Sequence, residues 1–385
     1  MKEFTFELST KIYYGTNIIG EALKKEAHML AGRVLVVTSG RSLENYGHLS
    51  RLLKGLEDLP ETEKVTVYKK VSANPQLEEV QEAVALGKLE KVQKVVGFGG
   101  GSALDAAKAV AVGIASEEKM EAYLLDGKEP TEETLPIIAI PTTAGTGSEL
   151  SKGAIISSSF YHIKSGIRGK NILPCIAIVD AAYTWTVPKR ITMETGFDVL
   201  AHAIESYMAV KANPFSEMLS EKAIKIVCEN LILLCRNLNN HEAREKMSFA
   251  SMIMGLNLAD VGTCLPHRMQ YAIGAYTDSS HAAGLIALYP SWAQYEFEMN
   301  PKRFGQVLQW MGYMEISTPI QARNVFESFL ESMGVGYSLA GLGLTEGSVD
   351  MLAEKVTGNL ANDRLAGNSE IVKTIFRESL ENSGI

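Results

Sequence analysis

The chain has 385 residues, 46% hydrophobic and 21% charged, longer than a single core usually grows, which predicts two globular domains. Its formal charge of -8 is spread without long acidic or basic runs, so the concentrated positive footprint of a nucleic-acid binder is missing. The opening MKEFTFELSTKIYYG alternates polar and apolar residues and holds no apolar run of signal-peptide or membrane-span length. The expectation is a cytoplasmic protein with no membrane partner. Cys175, Cys228, Cys235 and Cys264 form no CxxC pair and read as buried reduced thiols.

From Arg33, RVLVVTSG is a β-branched run ending in small residues, the pattern of a strand buried on both faces of a parallel sheet. KVTVYKKV, KVVGFGGGS, PIIAIPTTAGTGS and CIAIVDAAYTW repeat it, with helix-period segments such as LEEVQEAVALGKLEK between them. Strands alternating with helices imply βαβ units, so the first half is expected to be a doubly wound α/β domain with a parallel sheet. After Pro188 the texture changes to long helical segments, among them ETGFDVLAHAIESYMAV, SEKAIKIVCENLILLCRNL and AREKMSFASMIMGLNLADVG. The expected division is an α/β domain over residues 1–187 and an all-α domain over 188–385, closely packed because no low-complexity linker intervenes.

GFGGGSALDAAKAV, from Gly97 to Val110, follows a strand and opens a helix. Gly99, Gly100, Gly101 and Ser102 can bring backbone N–H groups close to a phosphate at a helix N-terminus, although a bare tight turn uses the same residues. Asp105 is a candidate cofactor contact on that helix, or half of an i,i+3 pair with Lys108. A second loop, PTTAGTGSEL, presents hydroxyls at Thr142, Thr143, Thr146 and Ser148. Two such loops at strand ends suit a dinucleotide, and no GK[ST] follows the glycines, which removes the main support for phosphoryl transfer. The second strand ends in Ser39-Gly40-Arg41, with no acid before Glu44. An acid there binds the ribose of NAD, so its absence favours NADP(H) over NAD(H), unless Arg41 is simply a solvated surface residue.

TGFDVLAHAIESY sets Asp198 and His202 four apart, one helical turn on one face, the spacing at which two ligands reach one ion. PHRMQYAIGAYTDSSHAAG adds His267 and His281. One carboxylate with three imidazoles suits Fe(II) or Zn(II). His28, His48, His162 and His241 carry no such pattern and are expected to be solvated.

In this order, GGGSALDAAK, PTTAGTGSE, the IVD of Ile178 to Asp180, the GFDVLAHAIE helix and two late histidines resemble the iron-containing alcohol dehydrogenases, in the alcohol dehydrogenase and aldehyde reductase branch. The resemblance runs from Thr10 to about Pro290. It implies a dehydroquinate synthase-like fold with an N-terminal dinucleotide-binding domain, a C-terminal helical metal-binding domain, and commonly a homodimer. By motif position it implies Asp198, His202, His267 and His281 as metal ligands, and cofactor contacts from Asn74, Gly99 to Ser102, Thr142, Thr143, Thr146 and Lys164. Ser39 stands about where NAD-preferring relatives carry an aspartate.

The chain also departs from the family pattern. Relatives usually carry a second histidine four residues after the third ligand, where this chain has Tyr271, and a glycine after the last ligand, where it has Ala282. Arg268 stands where many relatives have a small residue. The implied function is hydride transfer between a nicotinamide and a small alcohol or aldehyde, the metal polarising the substrate oxygen. Tyr271 would donate a proton or serve as an aromatic wall. Three alternatives stay open: a glycerol-type polyol dehydrogenase of the same superfamily, a reductase for an anionic aldehyde, and an inactive nucleotide- or metal-binding homologue.

Overall fold

A computed structural model of the chain describes residues 3–277 and 279–381. It divides into two compact units, Glu7–Val187 and Pro188–Ile385, the second also taking in the first six residues of the chain. Phe4 and Phe6 pack on the Phe215 ring of the helical unit, with centroids 6.3 and 4.7 Å away. The outermost ends of the expected domains, residues 1–2 and 382–385, lie outside the described residues.

In the first unit, strands β1 (Lys11–Gly15), β2 (Gly32–Ser39), β3 (Thr62–Val71), β4 (Lys94–Gly99), β5 (Ile137–Pro141) and β8 (Ile176–Asp180) make one parallel sheet in the order β1-β8-β5-β4-β2-β3. β2 shows why the run Val34 to Val37 reads as a buried strand. All four side chains have zero exposure, Leu35 and Val37 entering one core and Val34 and Val36 the other. Successive side chains of a strand point to opposite faces, and both faces here carry helices. These include α1 (Ile19–Lys25), α2 (Ser42–Asn45), α3 (His48–Glu57), α4 (Leu77–Leu89), α5 (Gly101–Ala115) and α6 (Met120–Leu124). An antiparallel hairpin of β6 (Gly153–Ser158) and β7 (Ile163–Arg168) lies outside the main sheet and was not foreseen.

The second unit is helical among the described residues: α7 (Lys189–Met208), α8 (Pro214–Arg236), α9 (His241–Asp260), α10 (Leu265–Tyr276), α11 (His281–Met299), α12 (Pro301–Trp310), α13 (Pro319–Met333), α14 (Val349–Lys355) and α15 (Ser369–Leu380). From Phe197 to Met208 every residue of α7 is buried, the signature of a helix enclosed on all sides. Asn213 caps α8, its Oδ1 accepting from the Phe215 and Ser216 amides, and Pro214 occupies the first turn, a strong start signal. Among the described residues no single helix is long and apolar enough to cross a membrane.

Gly99 ends β4 at φ +152°, where a Cβ would lie 2.7 Å from Ala103 Cβ. Gly99→Ala is expected to destabilise the α/β unit by about 1–3 kcal/mol, read as a lower midpoint in urea denaturation. An unchanged midpoint would show that the turn relaxes without strain.

Candidate metal centre and nucleotide loop

The helical unit brings four sequence-predicted residues together. Asp198 and His202 stand one turn apart on α7, His267 begins the second residue past the start of α10, and His281 opens α11. Asp198 Oδ1 lies 3.8 Å from His202 Nε2, 3.4 Å from His267 Nε2 and 3.8 Å from His281 Nε2. The tightest set is Asp198, His267 and His281, whose ligand atoms all fall within 4.8 Å of one another. The His202 ring stacks on His267 with centroids 4.5 Å apart. Asp198, His202 and His267 are buried, while His281 is partly exposed.

Two residues absent from the expected site aim the imidazoles. Glu205 Oε1 lies 2.7 Å from His267 Nδ1, and Gln270 Oε1 lies 2.6 Å from His281 Nδ1. Each oxygen can only accept from an N–H, so both rings carry a proton on Nδ1 and direct Nε2 toward Asp198. Glu205 is held in turn by the Cys264 amide at 2.8 Å. Cys264 is thus a support behind His267, its thiol donating to the Glu205 carbonyl, and not a member of the donor set. The other three cysteines are only half-buried, and all four are free thiols, which amends the expectation of four buried ones.

Burial pushes the Asp198 carboxyl up, but the surrounding imidazoles outweigh it and hold it well below the usual carboxylate range. For His267, burial pulls the ring down, and the Glu205 and Asp198 carboxylates reverse this and raise it to about 10. Asp198 Oδ1 and His267 Nε2 are buried and have no hydrogen-bond partner among the described residues. A buried carboxylate oxygen and a buried imidazole nitrogen left without partners around one point are the fit expected for a cation, which takes the imidazole in its neutral form. One oxygen with three nitrogens is a donor set that iron or zinc accepts.

Tyr271, one turn past His267, lies against the His281 ring at 6.0 Å, and its hydroxyl makes no hydrogen bond among the described residues. The Arg268 guanidinium sits 5.1 Å from the centre of the same ring. His48, expected to be solvated, is buried: its Nε2 lies 3.1 Å from Thr186 Oγ1 and its ring meets Tyr183 edge-on. His28, His162 and His241 are exposed.

In the α/β unit, the glycine loop sits at the C-terminal end of β4, where strand order reverses between β2 and β4, the usual ligand position in such sheets. No side chain caps α5, and while the Ala103 amide turns back to the Gly100 carbonyl at 3.0 Å, the Gly101 and Ser102 amides at the helix start are placed to meet an anion. A Cβ on Gly101 would fall 2.5 Å from Thr146, and one on Gly100 would fall 3.3 Å from Thr143 Oγ1. The two loops therefore meet, and the Thr142 amide donates to the Gly99 carbonyl at 2.9 Å.

Ser102 Oγ donates to the Ala73 carbonyl, and Lys164 Nζ donates to Asn74 Oδ1 at 2.9 Å. Burial pushes the Lys164 ammonium down to about 8. Asp105 and Ser148 are otherwise engaged. Ser148 Oγ donates to Asp105 Oδ1, Lys108 Nζ donates to Ser148 Oγ at 2.7 Å, and Asp105 Oδ2 accepts from the Ile155 amide at 2.8 Å. Lys108 and Asp105 also form the i,i+3 ion pair at 3.6 Å. At the end of β2, Ser39 is half-buried, Gly40 and Arg41 are exposed, and Glu44 pairs with Lys69.

Residues 9–181 match the family described as iron-containing alcohol dehydrogenase, and residues 192–380 match the C-terminal family of Fe-containing alcohol dehydrogenases. Long-chain-alcohol dehydrogenase 1 of Geobacillus thermodenitrificans is 30% identical over 87% of this chain and 85% of its own length. The probable NADH-dependent butanol dehydrogenase 1 of Bacillus subtilis is 27% identical over 99% and 100%. The crystal structure of an archaeal alcohol dehydrogenase from a Red Sea brine pool superposes with a TM-score of 0.91 at 26% identity, covering 99% of this chain and 100% of that one. With both halves matched in order and the fold shared end to end, the chain belongs to the iron-containing alcohol dehydrogenase family and is an oxidoreductase acting on CH–OH groups.

Proposed function

We propose that the chain interconverts a small alcohol and its aldehyde with a nicotinamide cofactor, and that Asp198, His202, His267 and His281 hold Fe(II), with Zn(II) as the other candidate. The observation that carries this reading is the convergence of one buried carboxylate and three imidazole Nε2 atoms on one point. A bound ion there supplies Lewis acidity toward the substrate oxygen, while the nicotinamide supplies or accepts the hydride. Glu205 and Gln270 keep the imidazoles aimed and fix their tautomers. The Tyr271 hydroxyl, which makes no hydrogen bond among the described residues, is proposed to donate the proton that completes reduction.

The proposed nucleotide site is formed by Gly99, Gly100, Gly101 and Ser102 at the start of α5, by Thr142, Thr143 and Thr146, and by Asn74 and Lys164. Asp105 and Ser148 would hold these loops together through Lys108. NADP(H) is proposed over NAD(H) because the chain carries no acid at the end of β2 before Glu44, where Ser39, Gly40 and the exposed Arg41 would accept a 2′-phosphate. The free thiols suit a reducing cytoplasm. A homodimer rests on the family resemblance, and light scattering on the eluted protein would test it.

The experiment is to reconstitute the purified protein with Fe(II) or Zn(II) and follow NADPH and NADH oxidation with short aldehydes, beside a metal-free control and Asp198→Ala. Metal-dependent turnover that Asp198→Ala abolishes is expected, with Tyr271→Phe lowering kcat and altering its pH profile. Equal turnover with and without metal would sink the reading. Glu205→Gln is expected to weaken metal binding about 10–100-fold, measured by chelator competition. An unchanged affinity would deny Glu205 its aiming role.

Lys164 adds a pH dependence. Its ammonium is charged below about 8 and neutral above, so NADPH affinity is expected to fall as pH rises through that value. Fluorescence titration of the cofactor would show this step in the native protein and its loss in Lys164→Gln. The same step in both would assign it elsewhere.

A further inference from the structure

Arg268 follows the ligand residue His267 on α10, yet its side chain is not spread into solvent. The residue is only partly exposed, Nη2 donates to Thr263 Oγ1, and Nε is buried with no hydrogen-bond partner. One face of the guanidinium lies over the Tyr271 ring, which itself rests against His281. On another side is Gly358, at φ +100°, where a Cβ would come within 3.3 Å of both Arg268 Cδ and Nη1. The segment carrying Gly358 is tied down by Asn362, whose Nδ2 donates to the Val261 and Thr263 carbonyls at 2.8 and 3.0 Å. The cation is therefore clamped, and no carboxylate among the described residues lies within ion-pairing distance of it.

A half-buried guanidinium without a counter-charge is an uphill arrangement. It becomes favourable when a ligand brings an oxyanion, to which the planar fork can donate two parallel hydrogen bonds. Its position restricts what that ligand is. A single aromatic ring, Tyr271, separates the guanidinium from His281, so a molecule with its oxygen at the four-residue donor set and an anionic tail a few bonds away can engage both.

We propose that Arg268 is a specificity-determining residue that receives the oxyanion of a short anionic aldehyde, a carboxylate or phosphonate, whose carbonyl faces the Asp198–His281 group. This rests on the dehydrogenase reading above. The reaction is R–CHO plus NAD(P)H plus a proton giving R–CH2OH plus NAD(P)+, with the oxyanion on R unchanged. Thr263 and Gly358 act as positioning residues that hold the guanidinium against Tyr271.

The test uses the metal-loaded enzyme with succinic semialdehyde and phosphonoacetaldehyde against butanal and propanal. The native enzyme is expected to favour at least one anionic aldehyde by roughly 10-fold or more in kcat/KM. Arg268→Gln should abolish that ratio through KM, Arg268→Lys should restore part of it, and Gly358→Ala, which displaces the fork without removing its charge, should lower it. Ethylphosphonate, which has the anion and no carbonyl, gives a readout without turnover. Its calorimetric affinity for the holoenzyme should drop roughly 10-fold or more in Arg268→Gln.

Turnover of butanal with no preference for either anionic aldehyde would overturn the role of Arg268 and leave the dehydrogenase reading standing. An anionic preference or ethylphosphonate affinity that survives Arg268→Gln would overturn it equally. No metal-dependent oxidation of either cofactor by any of the four aldehydes would overturn the dehydrogenase reading itself.

Discussion

A carboxylate shut away from water must be answered by donors or by a cation, and three imidazoles gather around Asp198. Much of the helical unit can be understood as serving that demand. α7 is enclosed almost along its whole length, so Asp198 and His202 cannot swing out to solvent. α10 and α11 enter the same region end to end and deliver His267 and His281. Left unpaired, such a buried charge would oppose folding by several kcal/mol, so the same packing that builds the core also fixes the chemistry.

In the α/β unit the governing constraint is close approach of backbone. β4 and α5 meet through Gly97 and Gly99, and the two polar loops meet through Gly101 and Thr146. A side chain at any of these points would push the loops apart. Beneath them, buried Lys108 ties Asp105, Ser148 and the Gly153 carbonyl into one network, so the loops are braced from inside and not left to solvent. Polar networks of this kind rigidify a site when every member is satisfied.

The parts of the fold that follow one repeating pattern were legible in the sequence. Five of the six strands of the sheet, β2, β3, β4, β5 and β8, show themselves as β-branched runs, and the long helices from Lys189 onward as 3.6-residue periodicity. The Asp198–His202 pair is visible because four residues make one turn. β6 and β7 were not, because GAIISS and IKSGIR are short, mixed in polarity and joined by a turn with no Asn-Gly or Asp-Gly signal. His48 looked solvated because nothing local to it foretells its meeting with Thr186 and Tyr183, more than a hundred residues away. Glu205 and Gln270 carried a signal that went unused. Each stands three residues after a candidate ligand histidine, on the same helical face, which is where a partner for a ring Nδ1 or for its neighbour would be sought.

The short N-terminal excursion of residues 3–6 into the helical unit makes that unit discontinuous along the chain. During synthesis these residues leave the ribosome well before Phe215, the ring on which Phe4 and Phe6 come to rest. The α/β unit can complete its sheet once β8 has emerged, whereas the helical unit has to wait and then recapture a segment made before it. Closing that long loop carries an entropic penalty that grows only with the logarithm of its length. Because that penalty must be met before the contact repays it, the recapture belongs late in folding and not to its nucleus.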